Sequence, residues 1–236
     1  MVFKLIQKIF VRLKEIKQLI RLLGKGVEIE SILSVKIRGI INCEENVYIG
    51  RNVELEGKCS FLNGAVIESN SIISNSIIGK NSRIKPNTMI KNSEIGENNI
   101  VGPYARVRPH TTTGNDSQIG NFVEIKNSMI GNNCKINHLS FIGDSEIHDN
   151  VIIGAGTVTC NYDGYKNQKT IIENNAFIGS GVFLIAPVRV GESSTIGSGS
   201  IITDNTPKNK LTIARSRQVT IDEWESPRNQ PDKLDE

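Results

Sequence analysis

The segment Ile78-Gly79-Lys80-Asn81-Ser82-Arg83-Ile84 sets the reading of the whole chain: an aliphatic residue, five small or polar ones, and an aliphatic residue again. The ladder continues through Ile90, Ile95, Val101 and Val107, then Ile119, Ile125, Ile130, Ile136, Ile142, Ile147 and Ile153. It resumes at Ile172, Ile178, Leu184, Val190, Ile196 and Ile202, after one polar insert at residues 159–169. Helices repeat at about 3.6 residues and strands at about 2, so a sustained six is a repeat architecture. Hexapeptide repeats predict a parallel β-helix. Gly and Asn recur beside the ladder, where tight corners need a positive φ. The five-residue steps Ile90 to Ile95, Ile125 to Ile130 and Ile142 to Ile147 read as tightened corners.

Working outward, the division expected is an amphipathic helix at 1–26, the β-helix at 27–204 and a C-terminal arm and tail at 205–236. Within the β-helix, residues 27–77 read as irregular early coils and 159–169 as an extruded loop. The polar end of the chain, with Pro207, Pro227 and Pro231, should leave the β-helix, and its final ten residues should be loose. In the helix, Ile6, Ile9, Leu13, Ile16, Ile20 and Leu23 alternate steps of three and four, which is heptad spacing. Leu5, Phe10, Leu19 and Leu22 widen the apolar face, and Gly24 and Gly26 supply a stop. A helix this short must dock on something. A three-stranded coil, a groove on the array and a peripheral contact with an anionic membrane all fit the stripe.

Composition narrows the classes. Aromatics make up 5% of the 236 residues, which suits a narrow prism of Ile and Val better than a conventional core. The net charge of +3 hides an asymmetry: residues 1–25 carry seven Lys/Arg and one Glu, leaving the remainder at −3. With no basic stripe interleaved with aromatics, a nucleic-acid partner is not expected. Cys43, Cys59, Cys134 and Cys160 show neither CxxC pairing nor secreted-type spacing and read as reduced thiols. Neither a signal-peptide core nor an 18-residue apolar span is found, so a soluble, cytoplasmic chain is expected.

The sequence has no HExxH, GxSxG, P-loop or strand-following GxGxxG. Of its three histidines, His148 beside Asp149 reads as a surface residue and His110 follows Arg108-Pro109. Their separations, 28 and then 10, repeat no metal-ligand spacing, and no metal is expected. That spacing also argues against a γ-type carbonic anhydrase. His138 differs through its neighbours, since Glu124 falls on the adjoining coil and Asn161-Tyr162-Asp163-Gly164 lies in the loop. A carboxylate near an imidazole fixes its tautomer and raises its basicity.

A family resemblance rests on Gly102-Pro103-Tyr104-Ala105-Arg106-Val107-Arg108-Pro109, Ile119-Gly120-Asn121-Phe122-Val123-Glu124-Ile125-Lys126, His138-Leu139 and Ile142-Gly143-Asp144. It continues through Gly154-Ala155-Gly156-Thr157-Val158-Thr159-Cys160-Asn161-Tyr162-Asp163-Gly164, Lys169-Thr170-Ile171-Ile172, Phe177-Ile178-Gly179-Ser180, Ala186-Pro187-Val188 and Ile213-Ala214-Arg215. Over residues 84 to 218 the chain resembles the acetyltransferase domain of the bifunctional glucosamine-1-phosphate acetyltransferase/N-acetylglucosamine-1-phosphate uridyltransferase. The flat parallel faces of a β-helix pack around a threefold axis, so the architecture predicts a homotrimer. The resemblance implies a left-handed β-helix and acetyl transfer from acetyl-CoA to an amino-sugar phosphate without a metal. The pathway it implies is supply of UDP-N-acetylglucosamine for cell-envelope polymers.

By that resemblance His138 is the base and Glu124 its support. Arg108 and Lys126 match phosphate-binding positions, and Asn161 matches a position that contacts both acceptor and acetyl-CoA. Tyr162, Ser180, Ser198 and Arg215 match acetyl-CoA positions, and the loop reaches across the cleft. Three positions depart: the family has Tyr at Phe141, Asn at Ile152 and Lys at Asn167, with Lys166 adjacent here. The first two are sugar-contacting positions, so the same chemistry on another amino sugar, including a nucleotide-linked one, is the alternative. A non-catalytic trimeric scaffold is the alternative of a different class. Residues 1–77 hold no Gly-rich nucleotide-binding loop, so uridyltransferase activity is not expected.

Overall fold

The computed structural model describes residues 2–226, with side chains from Phe10 onward. Helix α1 (Val2–Leu23) leads into a solenoid of short parallel strands. One turn consumes 17 or 18 residues, as in Val101 to Ile119 to Ile136 to Ile153. Every residue of the hexapeptide ladder points inward: from Ile78 to Ile202 its members are at most 4% exposed. Stacking them in one column per face removes nearly all their surface from water. At about 1.5–3 kcal/mol for each buried aliphatic side chain, this column supplies the main drive for folding.

The prism has three faces. Face 1 stacks eleven strands among the described residues, including Ile100–Val101, Gln118–Asn121, Lys135–His138, Ile152–Ile153, Phe177–Ile178 and Thr195–Ile196. Face 2 carries Arg106–Val107, Glu124–Lys126, Phe141–Gly143, Val158–Cys160, Phe183–Ile185 and Ile201–Ile202. Face 3 carries Thr111–Thr113, Met129–Ile130, Ser145–Ile147, Thr170–Ile172 and Val188–Val190.

Corner chemistry follows from backbone sterics. Most corners turn through a residue at positive φ, and Asn is the commonest residue there because it tolerates that region. The tightened corners lie between faces 2 and 3, where Asn92, Asn127 and Asp144 each make the turn alone with φ of 46–49°. His110, at φ 64°, occupies the same slot, which makes it a corner residue. Between faces 1 and 2 the slot is filled by Tyr104, Phe122 and Leu139, then by Gly156, Gly181 and Gly199. Bulky side chains at positive φ cost of order 1 kcal/mol each, and here three share one edge.

One expectation, that the chain leaves the β-helix at Asn205, is corrected. Residues 27–77 stack on the same axis, with Ile49 and Ile67 paired rung on rung, and depart from the hexapeptide where the strands Lys36–Cys43 and Glu54–Phe61 pair along all eight residues. These long strands cross a corner without breaking because Gly39 and Gly57 stack there. A Cβ on Gly39 would lie 2.0 Å from the Gly57 carbonyl oxygen. The polar stretch from Asn205 also stays on the solenoid at first. Leu211–Thr212 pairs with Thr195–Ile196, because that strand's edge still offers unpaired backbone groups. The final ten residues lie outside the described residues.

Helix α1 packs on the first coils through Leu19 and Leu22, both fully buried. Arg12 donates to Glu15 Oε2 at 2.7 Å and to the carbonyls of Val35 at 3.0 Å and Leu33 at 2.7 Å. Gln18 and Arg21 donate to the carbonyls of Gly39 and Ile41. Gly26, at φ 83°, ends the helix as expected. None of the described residues forms a helix long and apolar enough to cross a membrane.

Candidate active site

His138 ends its face 1 strand at the corner between faces 1 and 2, with its ring exposed. Its Nδ1 lies 3.1 Å from Oδ1 of Asn121, its rung partner one turn earlier. An amide oxygen only accepts, so this contact holds the proton on Nδ1 and leaves the Nε2 lone pair outward. Glu124 does not provide that support within the chain. Its own rung partner is Phe141, around the corner from His138, and its carboxylate is taken by Arg108 at 2.8 Å and Arg106 at 3.6 Å. Side-chain reach decides this, since a residue three positions past the corner points out of a different face.

Face 2 gathers the cations. Val107 and Ile125 are rung partners, so Arg108 and Lys126 lie on adjacent rungs with both side chains half-buried on the outer surface. With Arg106 and Glu124 the patch has three positive charges and one negative. Phe141 stands one rung above Glu124, and its ring covers Gly143, where a Cβ would come within 2.8 Å of Phe141 Cε1. Ile152 lies elsewhere: it projects from face 1 between Lys135 and Phe177.

The edge above His138 forms a slot. Residues at the equivalent corner position on successive turns are Ala155, Ser180, Ser198 and Ala214. The next position is Leu139, then Gly156, Gly181, Gly199 and Arg215, so side chains vanish from the edge until Arg215. At about 4.8 Å per rung, the slot runs about 19 Å from His138 to Ala214. Below His138 the edge is a ridge instead, where the rings of Tyr104 and Phe122 stack with centroids 5.4 Å apart.

The insert after Cys160 leaves from the other edge of face 2. Asn161 is buried there, its amide donating to Asp144 Oδ2, while Asn127 donates to Oδ1 of the same carboxylate at 2.5 Å. Thr170 N–H, at the far end of the loop, donates to the Asp144 carbonyl at 3.3 Å. Asp144 thus clamps both ends. The tip folds on Asp163, which accepts from the N–H groups of Tyr165 and Lys166 at 2.8 Å and from Gln168 Nε2 at 2.9 Å. These hydrogen bonds hold the Asp163 carboxyl down at about 2. Tyr162 is exposed, with its hydroxyl on the Gly164 carbonyl at 2.8 Å. Lys169 pairs with Glu146, which His148 also contacts at 3.1 Å. The chain therefore brings Arg108, Lys126 and Phe141 to one face, and His138, Ser180, Ser198 and Arg215 to one edge. Asn161 and Tyr162 sit on the opposite edge of that face.

Asn121, Asp144 and the Tyr104–Phe122 ridge are absent from the sequence-predicted site. Reading the chain in steps of one turn finds Asn121, which precedes His138 by 17 residues. Three of the cysteines are buried and all are free. Burial pushes the Cys43 thiol up to about 12 and Cys134 to about 11, despite nearby Lys25 and Arg21 in the first case and backbone donors in the second. Among the described residues no three His, Cys, Asp or Glu side chains converge as metal ligands.

The stacked coils place the chain in the class of left-handed parallel β-helices built from hexapeptide repeats. The bacterial transferase hexapeptide family (six repeats) matches at residues 75–109 and 169–204. A solved Arabidopsis UDP-N-acetylglucosamine acyltransferase superposes with a TM-score of 0.65 at 19% identity, over 77% of this chain and 70% of that one. The Francisella novicida UDP-N-acetylglucosamine acyltransferase gives 0.56 at 18% identity, over 79% and 66%. At these identities the likeness is one of fold.

In sequence the chain is 44% identical over 206 residues to the bifunctional protein GlmU of Janthinobacterium sp. (strain Marseille), covering 87% of this chain and 46% of that protein. Against the GlmU of Nitrosospira multiformis it is 43% identical over 220 residues, covering 93% and 48%. The chain fits the C-terminal acetyltransferase domain of the bifunctional GlmU family and spans about half the length of the curated relatives it matches.

Proposed function

We propose that this chain transfers the acetyl group of acetyl-CoA to the amine of glucosamine-1-phosphate, giving N-acetylglucosamine-1-phosphate on the way to UDP-N-acetylglucosamine. The observation that carries the reading is the Asn121–His138 contact, which holds the imidazole in the base-competent tautomer at one end of the slot. In the reaction the amine nitrogen attacks the thioester carbonyl while Nε2 takes its proton. Backbone N–H groups steady the tetrahedral oxyanion, and the carbon–sulfur bond breaks to release CoA as its thiol. No covalent enzyme intermediate is formed.

Arg108 and Lys126 suit the sugar phosphate, a guanidinium fork beside an ammonium on adjacent rungs. Glu124 serves this grip by holding Arg108, and acts on the phosphate rather than on the imidazole. The slot past Ser180 and Ser198 suits an extended thioester-bearing arm, with Arg215 at its far end for an anionic group of CoA. Asn161 acts as the loop's anchor, and exposed Tyr162 is left to meet a ligand.

A homotrimer belongs to the proposal. His138 and the loop lie on opposite edges of face 2, so a neighbouring copy would bring its loop to this chain's base and complete a cleft at each interface. A second acceptor reading, another amino-sugar phosphate or a nucleotide-linked amino sugar, is favoured by Phe141 and Ile152, whose side chains offer a sugar hydroxyl no partner. The test is CoA release with glucosamine-1-phosphate and a panel of amino sugars, for this protein and His138→Ala. Turnover lost in the variant supports the reading, preference for another acceptor moves it to the second, and no turnover with any amino sugar overturns both in favour of a scaffold.

A further inference from the structure

The heptad stripe and the docked face of helix α1 are different faces. Docking uses Arg12, Glu15, Gln18, Leu19, Arg21 and Leu22. At about 100° per residue, Leu13 and Ile20 lie well off that face, and the structure leaves Leu13 57% and Ile20 59% exposed. Phe10, further round, is 62% exposed. Along the same outer arc stand Lys14 and Lys17. The helix therefore presents a second apolar strip edged by cations, after its first apolar face has been satisfied.

The charge around this strip has one sign. The sole acid in residues 1–25, Glu15, is 8% exposed and held by Arg12 at 2.7 Å, so no carboxylate of the helix faces outward to neutralise the lysines. A groove of about 890 Å3 runs beside the strip between the helix and the strand Lys36–Cys43, with Val11, Ile20 and Ile37 as apolar wall and Lys14, Lys17, Arg21 and Arg38 around it, Glu15 being the one acid in its lining. Arg38 is committed to Glu54 and Glu56, and Arg21 gives one N–H to the Ile41 carbonyl. Lys14 and Lys17 remain as the outward charges. A parallel coil of copies would bring Lys17 of each near the others with no acid between them, and like charges at such flanking positions oppose association. An anionic surface reverses that sign.

We propose that the outer face of helix α1 is a docking surface for a bilayer carrying anionic headgroups. Phe10, Leu13 and Ile20 enter the acyl boundary while Lys14 and Lys17 meet the phosphates. The helix lies in the interface plane, held to the solenoid by its opposite face, so the β-helix rests on the bilayer through its N-terminal end.

The test is co-sedimentation of the full chain with phosphatidylcholine vesicles, with and without phosphatidylglycerol. Binding is expected only with the anionic lipid, weakening as salt rises, and falling roughly fivefold for each lysine removed in Lys14→Gln and Lys17→Gln. Leu13→Ser with Ile20→Ser should abolish it, while circular dichroism and the melting temperature show the solenoid intact. Equal binding to neutral and anionic vesicles overturns the charge argument. No binding to either, with Leu13→Ser and Ile20→Ser lowering the mass in sedimentation equilibrium, overturns the proposal and assigns the strip to a seam between copies.

Discussion

Replacing Asn121 by Ala separates the two accounts of how His138 is supported. Among the described residues the imidazole has one hydrogen bond within the chain, from Nδ1 to Asn121 Oδ1 at 3.1 Å. Losing it removes about 1 kcal/mol of orientation and lets the proton move to Nε2, the atom that must accept. A loss of about 1–2 kcal/mol is about five- to thirtyfold in kcat. Removing the base in His138→Ala should cost about 10²–10⁴-fold. Glu124→Gln acts elsewhere: it frees Arg108 and Arg106, both partly solvated, so its effect is worth under about 1 kcal/mol. That change should appear in the KM of the sugar phosphate, within about fivefold, with kcat unchanged. The assay is CoA release at saturating acetyl-CoA with the acceptor varied. If Glu124→Gln lowers kcat as His138→Ala does, while Asn121→Ala leaves it intact, the assignment of support to Asn121 fails.

Arg215→Ala should raise the KM for acetyl-CoA several-fold and leave that of the acceptor alone, because Arg215 stands at the far end of the slot; a two-substrate matrix checks it. Asp144→Ala cuts the side-chain ties to Asn161 and Asn127, so hydrogen exchange of the loop amides should rise while that of the face 1 strands holds. The Asp163 carboxyl is held at about 2, below its ordinary value of 3.8, so it steadies the loop fully above that ordinary value and progressively less as pH falls toward 2. Protection of the Tyr165 and Lys166 amides should therefore be flat from neutral pH to about 4 and fall below it. With an aromatic disulfide reagent, Cys160 should label in the native protein, and Cys43, Cys59 and Cys134 only after denaturation, since those three are buried.

The ladder made the fold legible because its inward residues obey a strict local rule: each apolar residue repeats where the next face begins. Ile78 through Ile202 are buried as that rule requires, and the shortened steps proved to be corners turned by Asn92, Asn127 and Asp144. Residues 27–77 were harder to read because Lys36–Cys43 and Glu54–Phe61 cross a corner in one strand. Their spacing then follows two stacked glycines instead of the hexapeptide. The site was legible as residue types and only partly as an arrangement. His138, Arg108 and Lys126 carry chemistry that their side chains announce. The support of His138 depends on which residue lies one turn below it, and that is a matter of register.

What the sequence alone determined is the periodic, one-dimensional part: a parallel β-helix, an amphipathic helix before it, a loop thrown out after Cys160, and a histidine with nearby cations. Each follows from spacing along the chain or from the chemistry of single side chains. Tertiary structure decided which residues meet. It set Asn121 rather than Glu124 beside His138, placed Glu124 on Arg108, buried Asn161 against Asp144, and docked helix α1 by one face while leaving Leu13 and Ile20 outward. These outcomes rest on the length of a turn and the direction of a side chain at a corner, both fixed only when successive turns stack.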